Sequence, residues 1–536
     1  MNLSTADHST QMPQVTIPRR YNAAYDLLAR NADWPEKTAF INAISGEKLS
    51  YGDLTRQSHQ FANALRAQGF ALESRVLIAM LDTPDWPVVF LGCILAGVVP
   101  VAVNTLLTTA DFEFILRDSR AQGLVVSKLL LAAFEPLIGN IDTLKTIVVA
   151  DGSKTVDLTQ NSRENNSLDQ LIKTQAAIEN IADSVADTCS DDACFWLYSS
   201  GSTGAPKGTI HLHSHLIQTA ELYGRGVLGI QHSDVVYSAA KLFFAYGLGN
   251  ALTVPMAVGA TTVLLPSRPT PADVFGILKQ FKPTIFYGVP TLYAALLADP
   301  ARPAKTDVAL RLCTSAGEAL PAEIGRQFTA AYGVEILDGI GSTEMLHIFL
   351  SNRPGMVRYG TTGQAVPGYQ LRIVGDDGKD CAVGEIGELH ISGPTSAIMY
   401  WNNRAKSKAT FAGDWTKSGD KYTLDSDGYY TYGGRSDDML KVGGIYVSPF
   451  EVEACLMTHP AVLEAAVIGV ADADELVKPK AYVVFKSGEN ASADELKAHV
   501  KQHLAPYKYP RWIEFVSELP KTATGKIQRF KLRQSR

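Results

Sequence analysis

Residues 198–208 read YSSGSTGAPKG, placing the hydroxyls of Ser199, Ser200, Ser202 and Thr203 and the ammonium of Lys207 around Gly201, Gly204 and Gly208. Glycine lets backbone N–H groups approach an anion, hydroxyls donate to its oxygens, and a lysine offsets its charge. The chemistry implied is phosphate binding. It is not that of a Walker loop, which needs G-x-x-x-x-G-K-[ST]. From Gly201 the chain reads GSTGAPKG, so Pro206 stands at the second glycine and Gly208 at the magnesium-binding hydroxyl. What remains is a hydroxyl-rich loop with one lysine, suited to a triphosphate tail.

A second group that tempts a chemical reading is His211, His213 and His215 in HLHSH. Alternate residues of a strand share a face. No cysteine or carboxylate nearby completes a ligand set, so a metal site is not expected. The six cysteines include no C-x-x-C pair, which argues against a zinc ribbon or a disulfide framework and fits a reducing cytoplasm.

Those residues need a scaffold. Apolar, β-rich runs at 75–80, 123–127, 145–150, 260–266, 284–290 and 334–339 alternate with helical patterns such as 272–282. That alternation predicts an α/β fold with largely parallel sheets. Residues 194–200 (CFWLYSS) read as a buried strand feeding the glycine loop, and 151–192 read as a polar surface excursion. Residues 86–103 carry no charge, but Pro87, Gly92, Gly97 and Pro100 interrupt them, so a buried helix running into a buried strand is expected rather than a membrane span. Beyond residue 435 short strands and helices predict a small, separate α+β domain. The start of the chain, MNLSTADHSTQMPQ, lacks a signal-peptide pattern. With 49 basic and 55 acidic residues the net charge is −6, which does not suggest a nucleic-acid binder.

The loop closely resembles the signature of the adenylate-forming superfamily: acyl-CoA ligases, peptide-synthetase adenylation domains and luciferases. Further matches follow in order along nearly the whole chain. DGIGSTE (338–344) resembles the family's Y-G-x-T-E, with Ile340 in place of tyrosine; SGD (418–420) its ribose-binding motif; GGRSDDMLKVGGIYVSP (433–449) its hinge region; and PKTATGKIQR (520–529) its catalytic-lysine motif. KLFFAYGLGN (241–250), FYGVPTLY (286–293) and TSAGEALP (314–321) resemble benzoate-CoA ligases in particular.

The resemblance implies a large, multi-subdomain N-terminal α/β domain (1–434) and a small mobile α+β C-terminal domain (435–536), hinged near Asp437. It implies ATP-dependent activation of a carboxylate as acyl-AMP, then transfer to CoA, with Mg²⁺ accompanying ATP. Lys526 would bridge carboxylate and phosphate, Thr343 would bond the α-phosphate, and Glu344 would hold Mg²⁺, a hard cation that prefers oxygen. Nucleotide contacts would come from the loop, Gly317, Glu318, Asp338, Gly339, Ser342, Asp420 and Arg435. Phe244, Ala245, Tyr246, Ala316, Ile340, Gly341, His347 and Ile348 would line the acyl pocket, while Phe243 is expected in the core. Lys441, Gly443 and Gly444 would line the CoA channel in a second orientation of the small domain. His215 matches a family histidine just before a helix. The expected partners are small molecules, with no nucleic acid and no membrane span; a homodimer is compatible with the sequence.

Three rival readings differ in outcome. A stand-alone loader would pass the acyl group to a carrier protein, although no carrier domain is expected, because the chain ends ten residues after Lys526. A nucleotide sensor should lack the lysine. Luciferase-type oxygenation has no feature to mark it. The sequence does not rank benzoate against hydroxy-, fluoro- or aminobenzoates or cyclic aliphatic acids.

Overall fold

The computed structural model describes residues 1–10, 12–150, 165–174, 185–201, 204–436, 438–442, 445–472, 476–521 and 527–534. Among them three sheets build the large N-terminal part. In the first, Thr146–Ala150, Gly123–Ser127, Arg75–Ala79, Val99–Ala102 and Ala193–Gly201 run parallel in that spatial order, and Gly204–Leu212 closes one edge antiparallel. Their near-continuous Val/Ile/Leu content suits strands covered on both faces. The uncharged stretch at 86–103 resolves as expected: helix Asp85–Leu95 and strand Val99–Ala102, both buried.

The second sheet aligns Thr38–Asn42, Thr261–Leu264, Val235–Ser238, Ile285–Gly288, Leu312–Ser315 and Ile336–Gly341 in parallel. Ile348–Ser351 then pairs antiparallel with Ile336–Gly341. The third sheet is antiparallel and holds Trp415–Leu424 against Tyr430–Arg435. Helices such as Pro271–Gln280, capped by Thr270 and Asp273 with Pro271 at the first position, pack their apolar faces against the second sheet.

The polar stretch at 151–192 is more structured than its composition suggests. Strand Asn165–Ser167 and helix Leu168–Thr174 lie within it, and Leu168 and Ile172 are buried in the main core. Two apolar side chains one turn apart are enough to dock a short helix, a signal that the surrounding polar residues mask.

Beyond Arg435 a separate core forms. Strands Val462–Ala471, Val477–Phe485 and Trp512–Phe515 make one sheet, flanked by helices Pro449–Met457, Ala493–His503 and Arg529–Gln534. Val452, Leu456, Val467, Val483, Leu496 and Val500 are among the side chains at its centre. The fold is therefore the expected large α/β part followed by a small α+β part. No described helix is long and apolar enough to cross a membrane.

Candidate active site

The glycine loop sits at the tip of a β-hairpin. Ser199 pairs with Lys207 and Gly201 with Gly204. The backbone of Ser200 belongs to the first strand, while Ser202 and Thr203 lie outside the described residues. The Ser199 hydroxyl is buried and has no hydrogen-bond partner among the described residues; such a group favours a ligand oxygen, because leaving it unpaired is costly.

The hairpin's outer edge is covered. Trp401 N–H donates to the Gly208 carbonyl at 2.8 Å, and Ile210 N–H to the Met399 carbonyl at 3.2 Å. That pairing brings in Tyr400, which sequence reasoning missed. Its hydroxyl donates to Glu344 Oε1 at 2.6 Å, and Lys207 Nζ lies 4.7 Å from its ring centroid. Burial lowers the Lys207 pKa, opposed by the Glu344 carboxylate and reinforced by Lys406 and Arg435. Two lysines, one carboxylate and one arginine thus share a field beside the loop. No motif marks Tyr400; only the edge pairing places it.

His211 connects this hairpin to the turn at 342–346. Its Nε2–H donates to the Thr343 carbonyl at 2.8 Å, and its Nδ1 lies 3.1 Å from His215 Nδ1. His213 Nδ1 accepts from Ala23 N–H at 3.1 Å. Burial pushes His211 and His213 down to about 4 and His215 well below its usual value. These are neutral structural histidines. Only His211 is in the strand. His213 and His215 begin helix His213–Thr219, so His215 lies inside the first turn rather than before the helix.

Strand Ile336–Gly341 carries the next group. Asp338 is buried; its Oδ1 has no hydrogen-bond partner among the described residues. Burial holds its pKa well above the carboxylate range despite backbone N–H groups at Leu320 and Gly339. An orphaned acceptor of this kind suits an amino group of a ligand. Ser342 Oγ accepts from Met345 N–H at 3.1 Å and shapes the turn that presents Thr343 and Glu344. On the third sheet Asp420 and Arg435 are cross-strand neighbours, 3.3 Å apart. Gly419 has φ +73°, and a Cβ there would meet the Arg435 guanidinium at 3.0 Å. Gly317, at φ +94°, is exposed next to Glu318.

The other end of the same strand meets an aromatic wall. Phe244, Ala245 and Tyr246 are half-buried, while Phe243 is in the core as expected. Their segment is fixed by Asp82, whose carboxylate accepts from Leu242 N–H at 3.3 Å, and by Lys241, which donates to the Leu265 and Ser267 carbonyls. The Tyr246 hydroxyl lies 2.6 Å from Thr314 Oγ1. His347 stacks on Tyr246 with centroids 5.8 Å apart, and its Nε2–H donates to Tyr246 O at 3.3 Å and Asn250 Oδ1 at 3.2 Å. Burial pushes His347 down to about 4, so the ring is neutral.

Two π-helical turns, Ala220–Arg225 and Gly249–Thr253, supply Tyr223 and Asn250 to this wall; π turns often mark functional positions. Gly249 and Gly341 are needed for close approach: a Cβ would stand 2.2 Å from the His347 ring and 2.5 Å from the His347 carbonyl, respectively. Ile340 is half-buried, and Ala316 and Ile348 are buried behind it. Asp82 and Tyr223 lie in no motif, while Thr314 and Asn250 stand at the ends of TSAGEALP and KLFFAYGLGN with no role of their own marked there.

The small C-terminal part reaches this site. Ile527 N–H donates to Glu318 Oε1 at 3.0 Å. Lys526, Asp437, Gly443 and Gly444 lie outside the described residues, and of Lys441 only the backbone, paired with Tyr446, is described.

Comparison with known proteins agrees with this geometry. The AMP-binding enzyme family model matches residues 27–401, and that of the AMP-binding enzyme C-terminal domain matches 451–526. A benzoate–CoA ligase of Thauera aromatica is 57% identical over 99% of both chains. A 4-hydroxybenzoate–CoA/benzoate–CoA ligase of Rhodopseudomonas palustris is 47% identical over 96% of this chain and 94% of its own. The crystal structure of a benzoate CoA ligase from Burkholderia xenovorans LB400 superposes with a TM-score of 0.87 at 52% identity, covering 96% of this chain and all of that one. These matches show the adenylate-forming enzyme fold, a large N-terminal part with a small C-terminal domain, and the chain belongs to the AMP-binding enzyme family.

Proposed function

We propose that the protein is an AMP-forming aryl-CoA ligase whose acid is benzoate or a close aromatic relative. The observation that carries the substrate is the wall formed by Tyr246, His347 and Tyr223. It is aromatic, neutral and closely packed at Gly249 and Gly341, and suits a planar ring better than a flexible chain. Strand Ile336–Gly341 joins this wall to Asp338, so one element orients ring and nucleotide together.

In the first step the carboxylate oxygen attacks the α-phosphorus of ATP, forming the acyl–phosphate bond and expelling pyrophosphate. Two anions must meet, so charge compensation dominates. Lys207 and the loop's N–H and hydroxyl groups hold the triphosphate tail. Asp420 accepts from the ribose hydroxyls, and Asp338 faces the base. Lys526 supplies the charge between carboxylate and phosphate; the Ile527–Glu318 bond, which anchors the next residue on the large part, supports this role. Glu344 offers the carboxylate oxygens that fit Mg²⁺, which would neutralise phosphate charge when bound with ATP. In the second step the CoA thiolate attacks the acyl carbon and AMP leaves.

The division at 434/435 with a hinge near Asp437 belongs to this proposal, supported by the separate core beyond Arg435. In the second orientation Lys441, Gly443 and Gly444 would face the pantetheine arm. Use of ATP and CoA, with unpaired cysteines, agrees with a cytoplasmic enzyme.

Pyrophosphate release and CoA-ester formation measured across a panel of acids test the reading. Benzoate should exceed acetate and palmitate in kcat/KM. A higher value for either aliphatic acid removes the aromatic assignment. Release of pyrophosphate without CoA-ester formation, together with acylation of a carrier protein, would favour the loader.

A further inference from the structure

The small domain carries a second cluster that the ligase chemistry does not use. Helix Pro449–Met457 bears Cys455, and helix Ala493–His503 bears His499 and His503 one turn apart. Residues four apart on a helix share a face. The Cys455 sulfur and one ring nitrogen of each histidine all lie within 4.8 Å of one another. His499 and His503 have ring centroids 4.4 Å apart. We propose that Cys455, His499 and His503 form a binding site for a divalent transition ion of zinc type, which ties the two helices of the small domain together.

The surroundings are organised as metal ligands require. The His503 Nδ1–H donates to the His499 carbonyl at 2.8 Å, which leaves Nε2 with its lone pair. Thr458 Oγ1 donates to the Cys455 carbonyl at 2.7 Å, and His499 Nε2–H donates to Thr458 Oγ1 at 2.7 Å and to the Cys455 carbonyl at 3.2 Å, which fixes the ring and leaves Nδ1 with its lone pair. Hydrogen bonds of this kind set tautomer and direction in metal-binding histidines. His459 stands edge-on to His499, at 5.3 Å, but its Nδ1 accepts from Ala461 N–H at 3.3 Å. Its proton is then on the other nitrogen, so the site has three protein ligands and water in the fourth place.

One thiolate and two imidazoles select a borderline-soft ion over Mg²⁺ or Ca²⁺. Buried, exposed and intermediate members combine: Cys455 is buried, His499 half-buried and His503 exposed, so an ion can enter from solvent. Binding through the thiolate must release the Cys455 proton, so affinity must rise with pH.

The test uses untagged full-length protein, stripped with chelator and free of nucleotide, titrated with Co²⁺ and then Zn²⁺. One equivalent should bind with a near-ultraviolet sulfur-to-cobalt band, and Zn²⁺ should displace it and raise the melting temperature. Cys455→Ser should abolish the band. His503→Gln alters an exposed residue, so folding is preserved, and it should weaken binding by at least about tenfold. Absence of Co²⁺ uptake at micromolar concentration, or a band unchanged in either variant, overturns the proposal. Loss of benzoate activation in the proposed ligase leaves it untouched, since the readout is spectroscopic.

Discussion

Ile527 N–H and Glu318 Oε1 lie 3.0 Å apart, joining the C-terminal tail to the segment that follows strand Leu312–Ser315. In the proposed mechanism this bond holds the orientation in which Lys526 would serve adenylation. Glu318→Ala should slow acyl-AMP formation by about ten- to a hundredfold, the scale of one hydrogen bond to a charged group. Lys526→Ala should slow it by at least about 10²–10³-fold. Both variants, given synthetic benzoyl-AMP and CoA, should make thioester within about threefold of the parent rate. Equal loss of both half-reactions in folded protein would mean that a single fixed arrangement carries both steps.

Tyr400→Phe keeps the ring under Lys207 and removes only the hydroxyl that donates to Glu344. The Glu344 carboxylate then loses a charge-assisted bond that limits its orientation. Pyrophosphate release should fall about tenfold or more, with the KM for benzoate nearly unchanged. A shift confined to the benzoate KM would place Tyr400 with the acid instead of the nucleotide.

Gly249→Ala would place a methyl group 2.2 Å from the His347 ring, which is buried and has no room to swing. Overpacking of this type costs about 1–3 kcal/mol. The variant should melt lower and lose benzoate turnover more than ATP binding, measured by calorimetry with AMP. An unchanged benzoate kcat/KM would remove His347 from the acyl wall.

Acid should unfold the protein early. His59, His211, His213 and His347 are each pushed by burial down to about 4, against 6.5 when exposed. Between these values the unfolded chain binds more protons, so their contribution is present above pH 6.5 and is lost as pH falls towards 4. Asp82, raised to about 6, opposes this, because its native form takes up a proton first. Asp338, also raised by burial, acts with Asp82, and His215, held well below its usual value, acts with the other four; five histidines outweigh two carboxyls at about 1.4 kcal/mol per proton per pH unit. Denaturant midpoints should fall steadily from pH 6.5 to 4.5; a flat profile contradicts neutral burial.

Much of the scaffold was legible because it rests on local pattern. Runs such as RVLIAM and GLVVS became strands Arg75–Ala79 and Gly123–Ser127, since β-branched residues in short uncharged runs have few other places to go. Asp420 and Arg435 were legible as motif members, and the antiparallel register puts them face to face. Tyr400 and Asp82 were not legible, and Asn250, although the last residue of KLFFAYGLGN, showed no role of its own there. Each acts through a contact more than fifty residues away along the chain, with Glu344, His347 and Leu242. The helix Leu168–Thr174 was hidden because two buried side chains in a polar run leave almost no periodicity.

The glycine loop lies between two antiparallel strands, and the helix begins only at His213, after the whole second strand. A phosphate loop that opens directly into a helix draws on the helix dipole and on a row of free amides, and holds its anion firmly. Here no helix follows the loop directly, so in the proposed ligase attraction would come from Lys207 and the loop's own donors. A hairpin tip is joined to the body at one end only. In the proposed ligase the phosphate tail would therefore be held beyond the part of the hairpin that Met399 and Trp401 fix to the body.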